Sequence, residues 1–105
     1  MKNNEESVDV SVILINRNGG NCLRLAIRSL HVALEHAFSQ TYRFEFLFVD
    51  NGSTDNSVDI ASSEMNGSEI DWKVVVESTP GVNSARIAGL RESQGQYVIF
   101  TDNDL

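Results

Sequence analysis

Residues 8–15, 44–49, 72–76 and 97–100 form apolar runs of strand length, rich in β-branched and aromatic residues. Val12-Ile13-Leu14-Ile15 and Tyr97-Val98-Ile99-Phe100 are almost uninterrupted. Runs of this kind predict a sheet covered on both faces, as parallel sheets are. Between them lie helical patterns. Leu23, Ala26, Ile27, Leu30, Ala33, Leu34, Ala37 and Phe38 follow three-four spacing behind Asn21, which can cap the helix. A second, Ser-rich helix is expected over 53–65, with Val58, Ile60, Ala61 and Met65 as its apolar side. A third is expected to start near Asn83, after the Pro80-Gly81 turn, and to stop at Gly95. The order β-α-β-α-β-α-β with short connections predicts a doubly wound α/β fold of four mainly parallel strands.

At 105 residues the chain is one domain at most. Residues 1–7 read as a polar tail and 8–105 as the folded unit, with no apolar segment of bilayer-spanning length. The N-terminus lacks the apolar core of a signal peptide, and the lone Cys22 excludes an internal disulfide; both fit a cytoplasmic setting. A formal charge of −7 argues against a nucleic-acid partner. It also means that an anionic phosphate ligand needs a cation or helix N-termini to offset repulsion. The end of the chain, directly after the fourth strand, predicts truncation.

Ligands of open parallel sheets bind beyond the carboxyl ends of the strands. The polar residues collect there: Asn16-Arg17-Asn18-Gly19-Gly20, Asp50-Asn51-Gly52-Ser53-Thr54-Asp55, Glu77-Ser78-Thr79 and Asp102-Asn103-Asp104. Asp102 and Asp104, one residue apart, can point to one side of an extended segment and offer hard oxygen ligands to Mg²⁺ or Mn²⁺. Against this stands the plainer reading of the triplet as a solvated turn. Asp55 reads as a helix N-terminal residue in preference to a ligand. Cys22 reads as inert, Trp72 as a packing residue, and His31 and His36 as lying on different helix faces.

These motifs, in this order, resemble glycosyltransferase family 2 of the GT-A fold, from about Val8 to Leu105. Ser11-Val12-Ile13-Leu14 with Asn18 resembles the family's opening strand. Residues 46–55, ending in Asp50-Asn51-Gly52-Ser53-Thr54-Asp55, resemble its second strand and turn. Pro80-Gly81, Ala85-Arg86 and Gly89-Leu90 resemble the helix that carries Ala-Arg-Asn-x-Gly, and residues 95–104 its Gly-x-Tyr strand and Asp-x-Asp. The chain departs from the pattern at Ile15, Arg17 and Ile87, where the family has Pro, an aromatic and Asn; the Arg17 guanidinium can stack on a base instead.

The resemblance implies the donor-binding front half of an inverting glycosyltransferase. Asn16, Asn18, Asp50, Arg86 and Asp102 become candidate nucleotide-binding residues, with Asp50 accepting from the base ring. Asp102 and Asp104 become candidate ligands of a divalent metal, Mn²⁺ or Mg²⁺, that grips the diphosphate. The donor is expected to be a UDP-sugar, the acceptor is unspecified, and the acceptor site and catalytic base are expected after Leu105. The family's sheet sets strand four beside strand one, so residues 97–100 are expected to form an exposed edge through which the chain self-associates. Two alternatives remain open at this point. One is a non-catalytic binding module on the same fold; the other is an unrelated nucleotide-binding α/β domain.

Overall fold

A computed structural model describes residues 7–38 and 42–102, with the side chains of Ala37, Phe38 and Asp102 outside the described set. The elements are β1 (Val10–Asn16), α1 (Gly20–Phe38), β2 (Phe44–Asp50), α2 (Ser57–Met65), β3 (Asp71–Val76), α3 (Val82–Glu92) and β4 (Tyr97–Asp102). The four strands form one parallel sheet in the order β3-β2-β1-β4. From β1 the chain steps outward to β2 and β3, then returns across β1 to lay down β4. Strand order therefore reverses between β1 and β4.

The two faces of the sheet are covered differently. Val12, Leu14, Phe46 and Phe48 point to one face, where Leu23, Ile27 and Leu34 of α1 and Ile60, Ala61 and Met65 of α2 close over them. Burying each of these large side chains contributes roughly 2 kcal/mol. Arg24 and Arg28 of α1 both reach Glu64 of α2, at 2.7 and 2.8 Å, and the His31 ring meets the Ser68 hydroxyl at 2.7 Å. On the other face, Ile13, Leu47 and Val49 pack against Ala85 and Ala88 of α3. Small residues let α3 sit close: a Cβ on Gly89 would lie 2.9 Å from a methyl of Ile13. No helix among the described residues is long and apolar enough to cross a membrane.

Several element ends differ from the sequence expectation. β1 begins at Val10 instead of residue 8, although Val8 is buried. α1 begins at Gly20, and its first N–H is met at 3.1 Å by the carboxylate of Asp55, from the loop after β2, where Asn21 had been expected to cap. α2 begins at Ser57 because residues 53–55 are drawn into hydrogen bonds with the strand ends. α3 stops at Glu92, three residues before Gly95, and Gly95 has no left-handed φ. Its lack of a side chain serves another purpose: a Cβ there would fall 2.6 Å from the backbone nitrogen of Ser11. Trp72 is half-buried and packs against the α1/α2 core, as expected of a strand residue.

Candidate functional site

Because all four strands run the same way, their carboxyl ends share one rim of the sheet. Asn16 pairs in register with Asp50, and Asp102 pairs with Ile15, one residue below them, so the three polar strand ends share the rim beside the reversal point. This is where a doubly wound sheet leaves a crevice.

Asp50 is buried and held from several sides. Its Oδ1 accepts from the Ser53 hydroxyl at 2.6 Å and from the Asn16 amide at 3.3 Å, and its Oδ2 accepts from the Ser53 N–H at 3.0 Å. A carboxylate has about four acceptor positions, so these three donors among the described residues leave room for one more. Asn16, also buried, reaches the Ser53 hydroxyl at 3.3 Å as well.

Asn18 sits in the left-handed region, φ 53°, an unusual conformation that Asn tolerates. Its side-chain oxygen accepts from the N–H groups of Thr54 at 2.8 Å and Asp55 at 3.3 Å, while its own N–H donates to Ser53 at 2.9 Å. The loops after β1 and β2 are thereby tied into one unit. Asp55 completes the tie. It accepts from Gly20 N–H at the start of α1 and from Ser57, both N–H and hydroxyl, at the start of α2. The Ser57 hydroxyl, helped by the backbone donors, holds the Asp55 carboxyl below the ordinary range. Both helix N-termini thus carry an internal carboxylate, so they do not offer the phosphate cradle that the charge balance called for.

Asn51 is the site residue that sequence reasoning passed over. Its side-chain N–H groups donate to the carbonyls of Glu77 and Thr79, both at 2.9 Å, and its oxygen accepts from Gly81 N–H at 3.2 Å. It staples the β3–α3 loop to the end of β2. The only signal in the sequence was its place in the Asp50-Asn51-Gly52-Ser53 turn. Glu77, beside it, is lowered in pKa by the Thr79 N–H and then the Thr79 hydroxyl.

Arg86 is exposed on α3, with its guanidinium carbon 5.9 Å from the centre of the Phe100 ring. Glu92, at the end of the same helix, meets Lys73 at 3.5 Å. Arg17 is exposed on the β1 loop, and Cys22 is a free, exposed thiol. Asp102 is placed by its backbone alone, and Asn103, Asp104 and Leu105 lie outside the described residues. Among the described residues no cluster of three His, Cys, Asp or Glu side chains could hold a metal. A recess of about 300 Å³ lined by Glu45, Asp71, Trp72, Lys73 and Gln94 lies at the amino ends of the strands, away from this rim.

The parallel sheet, its strand order and the alternating helices define a Rossmann-like α/β unit. Residues 11–105 match the model of glycosyl transferase family 2, and the chain belongs to that family. Among curated proteins, it is 32% identical over 84 residues to a cholesterol galactosyltransferase of Borreliella burgdorferi, covering 79% of this chain and 23% of that protein. It is 31% identical over 97 residues to an undecaprenyl-phosphate 4-deoxy-4-formamido-L-arabinose transferase of Pseudomonas syringae pv. syringae, covering 91% of this chain and 28% of that one. Among solved structures, TarS of S. aureus superposes with a TM-score of 0.73 at 26% identity over 92% of this chain and 17% of TarS. A TarS structure in complex with UDP-GlcNAc gives 0.69 at 27% identity, over 92% of this chain and 27% of that one. The chain thus spans less than a third of each of these proteins.

Proposed function

We propose that this chain is the donor-binding part of a glycosyltransferase that takes a UDP-sugar and, in the complete protein, transfers the sugar with inversion to an acceptor. The observation that carries the reading is the parallel register that brings Asn16, Asp50 and Asp102, within one residue of each other in level, to the rim where strand order reverses. The UDP-GlcNAc complex of the similar TarS supports the donor class. In this reading Asp50 accepts from the base ring with its remaining acceptor position, and Asn16 and Asn18 hold the turn that presents it. Arg86 approaches the base or phosphates from α3.

The chemistry of the donor set suits a divalent metal, with Asp102 and Asp104 as hard oxygen ligands for Mn²⁺ or Mg²⁺. Bound there, the metal would offset the charge of the leaving diphosphate. The charge of this chain supports it: the net charge is −7, and the N-termini of α1 and α2 are both taken up by Asp55. A cytoplasmic setting, supported by the lone Cys22, belongs to the same proposal. So does self-association through β4, supported by Tyr97, Ile99 and Phe100, which are 69%, 50% and 38% exposed on a strand without Lys or Pro.

Calorimetric titration of UDP into the protein with Mn²⁺ or with EDTA tests the reading. Binding is expected with Mn²⁺ only, and Asp104→Ala should abolish the difference between the two conditions. Asp50→Ala should weaken binding about tenfold or more, the cost of a hydrogen bond to a charged acceptor. Equal affinity in EDTA would remove the metal from the proposal, and no binding in either condition would remove the nucleotide.

A further inference from the structure

Glu45 stands at the amino end of β2, on the α3 face and at the opposite end of the sheet from the rim. It is only 4% exposed. Such burial is costly for a carboxylate unless donors surround it. Its Oε2 accepts from the Ser11 hydroxyl at 2.5 Å and from the Gln94 N–H at 2.7 Å. The Ser11 hydroxyl in turn accepts from the Gly95 N–H at 2.8 Å. Ser11 and Glu45 are register partners on β1 and β2, whereas Gln94 and Gly95 belong to the turn that leads from α3 into β4. One buried acceptor therefore gathers the starts of three strands. The contact is close enough that Gly95 admits no side chain.

This matters most for β4. Among the described residues its ladder runs to β1 alone, and a slip of one residue would turn every side chain to the opposite face. The turn at Gly95 fixes where the strand begins, and Tyr97 N–H then joins the Asp9 carbonyl at 3.0 Å. From Gly95 an extended chain reaches Asp102 after about 23 Å, at roughly 3.3 Å per residue. Register set at the base is thus delivered at the rim.

We propose that Glu45 is a positioning residue for the metal-binding end of β4, acting through Ser11, Gln94 and Gly95. The inference rests on the assignment of Asp102 as a ligand, and its test separates the two. Glu45→Leu keeps the volume and removes the acceptor; Glu45→Gln keeps a carbonyl that can still accept. A core variant on the other face, Ile60→Val, serves as a control for general destabilisation. Hydrogen exchange is read strand by strand, and UDP affinity is read with Mn²⁺ and with EDTA.

The expected result for Glu45→Leu is exchange at least about tenfold faster in residues 97–101 with residues 46–49 unchanged, a pattern of local opening. Manganese-dependent affinity should fall by about tenfold or more, with Glu45→Gln restoring most of both. Acceleration spread evenly over all four strands, as general loosening by Ile60→Val would give, overturns the proposal. So does unchanged exchange in β4. If the unsubstituted protein binds no UDP, the nucleotide reading fails, and the exchange pattern alone decides whether Glu45 sets β4.

Discussion

Asp50 and Asp102 end neighbouring parts of the same sheet, but their places are secured in different ways. Asp50 is gripped by its own turn, through Ser53 and Asn16, and that turn is fastened to the β1 loop by Asn18 and Asp55. Asp102 arrives on a strand whose ladder, among the described residues, has one neighbour and whose start is set at the far end of the sheet. The β1–β2 half of the rim is therefore organised locally and should tolerate changes at the base. The β4 half inherits its geometry over distance and should not.

The sharpest break between the halves is Gly95→Val. The atoms it meets are the backbone nitrogen and hydroxyl of Ser11, with no flexible side-chain end to yield. A loss of about 3 kcal/mol is expected, at the upper end for overpacking. Thermal unfolding gives the magnitude, and a melting temperature equal to the parent would contradict the close approach. Asn18→Ala attacks the other half and should cost about 1–2 kcal/mol, from two lost bonds to the Thr54 and Asp55 N–H groups and a strained left-handed alanine. Asn18→Gly relieves the strain alone, so in chemical denaturation it should fall between the parent and the alanine variant.

Ile99→Lys addresses the exposed edge. Ile99 is half-exposed, so monomer stability should move by only about 0.5 kcal/mol. Light scattering across a concentration series should show the parent associating and the variant shifted towards monomer. A parent that stays monomeric at high concentration dismisses association through β4.

The smallest effect concerns acid. Asp55 has a folded pKa below its ordinary value of 3.8, so its contribution is present above the unfolded pKa and is lost as pH falls through the lowered folded value. Asp55→Asn removes that dependence. The stability gap between parent and variant should be widest near neutrality and should close as pH falls below about 4. A gap independent of pH would show that the carboxylate charge at the two helix starts is immaterial.

Much of this molecule was legible without coordinates. Val12-Ile13-Leu14-Ile15 and Phe46-Leu47-Phe48-Val49 read as strands covered on both faces, because they are short, rich in β-branched or aromatic residues and apolar at consecutive positions. The three-four spacing of Leu23, Ile27, Leu30 and Leu34 was equally direct, since local periodicity is a property of the chain itself. The rim was legible for the same reason: polar residues that follow parallel strands must share one end of the sheet.

What the tertiary structure decided were the partners of polar groups far apart in sequence. Asp55 serves α1 as well as α2, Asn51 staples a loop near Gly81, and Glu45 joins Ser11 to Gln94. Gly95 looked like a helix stop because glycine is common there, yet it is required by a backbone 84 residues away. Hydrogen bonds of this kind carry no periodicity. A Ser, Asn or Glu reads the same whether water or a distant N–H completes it, and only the packed sheet determines which.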